Sequence, residues 1–371
     1  MLHQPFFDPT KSYEENWKEG PFGAFASTIN SSERSRLRSD ELLRTEGEPK
    51  YKVFEHKVYL PFGIPAGPLL NGRFVDAALD LNFDIPMHKT VRTRAKACHP
   101  FPNVLAIEIE GDLTMEKASH QLKAKEGYLA PLSITNSFGN PSQDSDIWQR
   151  DIAHSVAHAR KGQIVAASIE GTKWPGYSDA DYIQDWAIGA GLLKEAGAQI
   201  IEANLSCPNE GTTSLVCFDV NRARKIAEAI KNKIGNTPLL LKTAYFSDEE
   251  NLRHFVKELG KIVDGISSIN TISAEVVNEK GQPALPGEGR LRSGVCGHAI
   301  KWAGLDMVKR LKKLREEFNY HFLIFGGGGV MNPQDYQEYH QAGADVVMSA
   351  TGAMWNPYLA GEIKKLIISK V

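Results

Sequence analysis

The run Asn204-Leu205-Ser206-Cys207-Pro208-Asn209 gathers a thiol, a hydroxyl and two amides within six residues. It closes an apolar stretch, 199–206, that reads as a buried strand. A thiolate is a nucleophile or proton acceptor, and neutral amides offer donors and acceptors to a small planar ligand with imide or amide edges. An isolated cysteine is more often a buried thiol beside a turn, and that alternative stays open here. Other strand-like runs also end in polar residues: Lys89, Lys242, and Asn270 with Thr271, while Asn136 ends a shorter run. A lone strand-end lysine is usually a solvated charge. Two lysines and the asparagines 136, 204, 209 and 270 at one mouth would instead suit a ring bearing amides, a carboxylate, or a developing anion.

A second kind of signal is glycine. Phe325-Gly-Gly-Gly-Gly-Val330 follows an apolar run and precedes a helix signal, and Ser349-Ala-Thr-Gly352 does the same one strand later. Glycines let backbone N–H groups approach an anion closely, so the pair predicts a phosphate site. Two ligand-free glycine turns are the plain alternative.

These residues need elements to hold them at one mouth. From about residue 58, short β-rich runs alternate with amphipathic helical runs. The strand candidates are 61–67, 85–91, 132–137, 163–171, 199–206, 238–245, 265–272, 322–329 and 345–352. Such alternation means an α/β fold with a parallel sheet. Nine strands exceed a barrel by one. The alternating run 104–111 and the weak run 132–137 are assigned to a small antiparallel insertion after the second barrel strand, leaving eight. A (β/α)8 TIM barrel is preferred over an open doubly wound sheet because the glycine signal comes late, after strands seven and eight, where barrels often bind phosphate. Helix starts are expected at Ser247-Asp-Glu-Glu250, at Asn332-Pro333, and at Ser178 or Asp179, the last helix ending at Gly197.

Residues 1–50 differ in character, being rich in Ser, Glu and Arg with scattered aromatics (Phe6, Phe7, Tyr13, Trp17, Phe22, Phe25). They read as an arm packing its aromatics on the body or on a second subunit, with a short helix in 33–43. Residues 51–371 form the barrel domain. The formal net charge of -2 argues against a nucleic-acid binder. No run of about 18 apolar residues predicts a membrane span, and the N-terminus lacks signal-peptide features. The four cysteines, 98, 207, 217 and 296, show no metal-ligand spacing and read as reduced thiols of a cytoplasmic protein without a metal site.

Over about residues 58–360 the sequence resembles the dihydroorotate dehydrogenase family of flavin barrels. The run 204–209 carries the likeness most specifically. The resemblance implies that Cys207 is the catalytic base, a cysteine there marking the soluble class 1 enzymes. It implies that Ser206 orients the thiol or passes its proton onward. Ala66 and Gly67 match the turn beside the flavin, and Lys89 the lysine near flavin and substrate. Asn136-Ser-Phe138-Gly139 matches the substrate loop. Asn204, Asn209 and Asn270, with Thr271 for the frequent serine, match residues that hold the pyrimidine. Lys242 matches the lysine near flavin N1 and O2. Gly294 and Gly297 match a glycine pair, and Gly327, Gly328, Thr351 and Gly352 the phosphate loops. One departure is Cys98-His-Pro-Phe-Pro-Asn103, where the family usually has Gly-Asn-Pro-x-Pro-Arg. The segment after Asn209 does not align residue by residue.

The implied activity is FMN-dependent oxidation of (S)-dihydroorotate to orotate, Cys207 taking the C5 proton while hydride passes from C6 to flavin N5. A thiol pKa of about 8.5 predicts better function at alkaline pH unless the site lowers it. Class 1 relatives imply a homodimer. The electron acceptor stays open between fumarate and NAD, the latter requiring a partner subunit. The competing readings are a flavin barrel acting on a uracil-like dihydropyrimidine or an enone, a tRNA dihydrouridine synthase, and a phosphate-ligand-binding barrel without catalysis.

Overall fold

A computed structural model describes residues 2–27, 48–207, 215–287 and 290–368. Its centre is a closed barrel of eight parallel strands in chain order. They are Phe62–Ile64, Ile85–Val91, Ala166–Ile169, Ile200–Asn204, Leu239–Thr243, Gly265–Ser268, Leu323–Gly327 and Val346–Met348. These fall within the eight runs assigned above, and helices surround them, so the fold is a (β/α)8 barrel.

Side chains alternate along each strand, which sorts every strand into an outer and an inner row. Ile201, Ala203, Leu239 and Leu241 join the large cluster shared with the helices. Ile85, Met87, Ile200, Leu240 and Phe325 pack inside the barrel. Two residues further along, the same inner rows turn polar: Met87 is followed by Lys89, Ile200 by Glu202 and Asn204, Leu240 by Lys242. An apolar floor thus lies beneath a polar mouth at the C-terminal strand ends. A hairpin that sequence reading did not anticipate, Tyr51–Val53 with His56–Val58, closes the floor. Its Val53 and Val58 join the inner cluster, and Phe54 stacks on Phe325 with centroids 6.1 Å apart.

The expected antiparallel pair forms, Val104–Glu108 against Ser133–Asn136. It is only part of a larger unit, and this corrects the assignment. The small sheet has five strands, adding Leu122–Lys125, Ile272–Val277 and Arg292–Gly297. Two of these come from the connection after the sixth barrel strand. The run 265–272 is therefore two strands: the barrel strand stops at Ser268 and the next begins at Ile272. Asn270 and Thr271 occupy the step between the two sheets, above the barrel mouth.

Asn332 and Ser178 cap their helices as expected, the latter with a reciprocal capping box to Asp181. The third cap shifts by one residue: Asp248, not Ser247, accepts from the Asn251 N–H at 2.9 Å. In the N-terminal segment, helix Tyr13–Glu19 starts at a Ser12–Glu15 capping box. Phe6, Phe7, Tyr13 and Phe25 are buried against the body, whereas Phe22 is exposed. The helix expected in 33–43 lies outside the described residues.

Candidate active site

One cavity opens at the C-terminal strand ends, and the inner polar rows reach it. Lys89, Asn204, Cys207, Lys242, Asn270 and Thr271 line it, together with Asn136, Phe138 and Gly139 from the small sheet. Ala66 and Gly67 form another stretch of wall, and Gly297, Gly327, Gly328, Thr351 and Gly352 line the glycine-rich end. Ser206 is buried and is not among the lining residues. Asn209 lies outside the described residues.

The amides are braced from behind. Asn204 donates its Nδ2 to Glu170 Oε2 at 3.4 Å and accepts from the Ser206 hydroxyl at 3.1 Å. Asn270 Nδ2 donates to that hydroxyl at 3.1 Å and to the Ser206 carbonyl at 3.3 Å. Ser206, the residue before Cys207, therefore joins the Asn204 and Asn270 amides. Behind Asn204, the Glu170 carboxylate meets Arg92 at 3.0 Å, with side chains 3% and 0% exposed. Asn140 Nδ2 also donates to Glu170. Such a pair is costly to bury unless its hydrogen bonds are satisfied, and here the carboxylate serves several donors. Neither Glu170 nor Arg92 was singled out from sequence. The available signal was charge on nearly continuous apolar strand runs, where unpaired charge is not tolerated.

Lys89 is 3% exposed. Its Nζ donates to the Gly67 carbonyl at 3.3 Å and lies 5.1 Å from the centroid of the Phe138 ring. Burial pushes its pKa down to about 8, against the nearby Cys98, Cys207 and Glu170, which raise it. Lys242 is buried beside Glu202. Burial lowers the lysine pKa and raises that of the carboxyl group, each opposing the other's shift. Glu202 Oε2 has no hydrogen-bond partner, and Glu202 lines the cavity.

Cys296, from the small sheet, was read only as one of four thiols. Its Sγ accepts from Asn136 Nδ2 and from Thr351 Oγ1, each at 3.4 Å, so it ties the amide-lined end to the glycine-rich end. The divergent segment 98–103 is packed against the Asn136–Asn140 loop. His99 donates its backbone N–H to the Phe138 carbonyl at 3.0 Å, and Ser137 N–H bonds the Asn103 carbonyl at 2.9 Å. Gly139 has φ +75, and a Cβ there would strike the His99 ring at 2.4 Å.

The glycine-rich end is built by close approach of two loops. Ser349 donates its hydroxyl to the Val330 carbonyl at 2.6 Å and accepts from the Ala353 N–H at 3.1 Å. A Cβ at Gly352 would sit 2.2 Å from the Val330 oxygen, so only glycine permits this contact.

A parallel barrel with a thiol, two buried amines and oriented amides at its strand ends defines an enzyme of the α/β-barrel oxidoreductase kind. The family profile described as "Dihydroorotate dehydrogenase" matches residues 125–371. A protein of Dictyostelium discoideum named dihydroorotate dehydrogenase is 33% identical over 97% of this chain and 96% of its own length. A Bordetella avium protein named dihydroorotate dehydrogenase (quinone) is 27% identical over 81% of this chain and 80% of its own. An Escherichia coli protein named NAD-dependent dihydropyrimidine dehydrogenase subunit PreA is 32% identical, over 47% of this chain and 43% of its own. The chain belongs to the dihydroorotate dehydrogenase family. Among the described residues, no helix is long and apolar enough to cross a membrane.

Proposed function

We propose that the protein oxidises (S)-dihydroorotate to orotate with bound FMN. The observation that carries this is the convergence of Cys207, Lys89, Asn136, Asn204 and Asn270 on one cavity that also holds the two glycine turns.

The residues fit the cofactor. Gly67 has φ +145, and a Cβ there would meet nothing within 4 Å, so the wall at Ala66-Gly67 is open beside the cavity. Gly327, Gly328, Thr351 and Gly352 supply backbone donors for a phosphate. Lys242 supplies positive charge toward the ring system. These groups would hold FMN, which would supply the hydride-accepting redox chemistry.

The remaining work falls to the chain. Cys207 Sγ, as thiolate, takes the C5 proton, so that loss of proton and hydride leaves the C5–C6 double bond of orotate. Asn136, Asn204 and Asn270, with Asn209, hold the pyrimidine's amide and imide edges. Lys89 meets the carboxylate. Ser206 fixes the amides of Asn204 and Asn270, and Glu170 fixes the orientation of Asn204. A homodimer, a cytoplasmic location and an arm (1–50) joined to a barrel domain (51–371) belong to the same proposal. The relatives' names print different acceptors, a quinone for one and NAD for another.

Anaerobic addition of dihydroorotate to the purified holoprotein tests the reading. Bleaching near 450 nm within seconds is expected. Dihydrouracil, which lacks the carboxylate, should bleach the flavin far more slowly. Bleaching by dihydrouracil alone would transfer the assignment to dihydropyrimidines.

A further inference from the structure

The N-terminal segment enters the site. Its backbone is pinned to the helix Thr351–Trp355, His3 N–H donating to the Trp355 carbonyl at 2.9 Å and Phe6 N–H to that of Met354 at 3.0 Å. Arg73 donates to the carbonyls of Trp17, Lys18 and Glu19, and Asn71 Nδ2 also reaches the Trp17 carbonyl, at 2.8 Å. Between these anchors Phe7 lines the cavity and meets the Phe138 ring edge-on, with centroids 5.6 Å apart. Tyr13 lies 6.3 Å from Phe138, also edge-on. The Lys89 Nζ sits 5.9 Å from the Tyr13 centroid and 5.1 Å from that of Phe138.

An ammonium group has three N–H donors, and the Gly67 carbonyl takes one. Aromatic faces within about 6 Å stabilise a buried cation without occupying its donors. The Tyr13 phenol is itself pushed up by burial, so it stays neutral and offers an uncharged face. We propose that residues 2–20 form a wall of the active site, in which the Tyr13 ring is a positioning residue that keeps Lys89 charged and directed at an anionic substrate. The substrate half of this statement rests on the reading above; the effect on Lys89 does not.

The groups facing Lys89 from the elements packed around it are the Cys98 and Cys207 thiols, the Glu170 carboxylate and the Arg92 guanidinium. His88 is its chain neighbour, and none of these is altered in the test. The holoprotein is labelled with [13C]ε-lysine, the Lys89 resonance is assigned by its loss in Lys89→Arg, and its titration is followed in wild type, Tyr13→Leu and Tyr13→Phe. Loss of the ring should lower the Lys89 midpoint by about half a pH unit, and Tyr13→Phe should restore it. Near pH 8 the KM for dihydroorotate should then rise about twofold in Tyr13→Leu, with little change at pH 6. If Tyr13→Leu fails to fold, Tyr13→Met takes its place as the ringless variant. A midpoint common to all variants overturns the proposal, as does a Tyr13→Phe midpoint displaced as far as the ringless one. A flavin that dihydroorotate does not bleach in the wild type would sink the substrate reading while the lysine titration still decides the role of Tyr13.

Discussion

Glu170→Gln exchanges one carboxylate oxygen for an amide nitrogen and should affect both stability and catalysis. The carboxylate is the anionic partner of Arg92, whose side chain is 0% exposed, and it accepts from Asn204 and Asn140. Removing one partner of a buried pair costs about 3–5 kcal/mol, because the other charge is left without compensation. Arg92 keeps the Asn140 carbonyl at 3.0 Å and the Thr172 hydroxyl, which argues for the lower figure. With an unfolding entropy of about 2.1 cal/mol/K per residue, a loss of about 3 kcal/mol lowers Tm by about 4 °C for a chain of 371 residues. The amide introduced presents a donor where two donors already converge, so Asn204 must turn or lose its partner. Its hold on the substrate weakens, and flavin reduction should slow by about ten- to a hundredfold. Thermal unfolding of the holoprotein and anaerobic stopped-flow bleaching measure the two effects. Replacing both Arg92 and Glu170 by leucine should recover much of the stability but not the rate. A single variant melting within 1 °C of wild type (about 1 kcal/mol) with an unchanged rate would refute the argument.

Cys207→Ser should keep its flavin and its fold while reduction by dihydroorotate slows by about 10²–10⁴-fold, read as the rate of bleaching at 450 nm. Lys89 has a pKa of about 8, so its charge is complete below that value and lost above it. The affinity for a carboxylate substrate should fall about tenfold per pH unit beyond it, giving kcat/KM an alkaline limb that Lys89→Gln abolishes along with most of the binding. On stability the sign is opposite: a lysine whose folded pKa is lowered binds fewer protons than in the unfolded chain, so its contribution improves as pH rises from about 8 toward 10.5. Gly352→Ala would force a Cβ to within 2.2 Å of the Val330 oxygen, so the two loops must part. The purified variant should retain its barrel, seen by circular dichroism, and lose most of its bound flavin, seen in the ratio of absorbance at 450 and 280 nm.

Much of the site was legible because the parallel strands are short, buried on both faces and strictly alternating. Once Ile200 is placed inside, Glu202 and Asn204 follow on the same face, and Lys89 and Lys242 follow from Met87 and Leu240 in the same way. The glycine turns were equally legible, since a close backbone approach leaves no other residue type. The residues behind the site were not. Glu170 and Arg92 lie 78 positions apart, and their pairing depends on the third dimension rather than on local spacing. Of the five-stranded sheet only Val104–Glu108 and Ser133–Asn136 were legible, because Leu122–Lys125 is a short run with two lysines and the other two strands are borrowed from the connection after the sixth barrel strand.

By itself, the amino-acid order determined the barrel, its eight strands and the polar residues at their ends, because strand period and glycine placement are local properties. The tertiary structure alone decided what stands behind and around those residues. Glu170 orients Asn204, Cys296 joins the two ends of the cavity, and Tyr13 is carried from the N-terminal helix to within 5.9 Å of Lys89. Each of these contacts closes a long loop in the chain, and only the packing of the whole core brings its partners together.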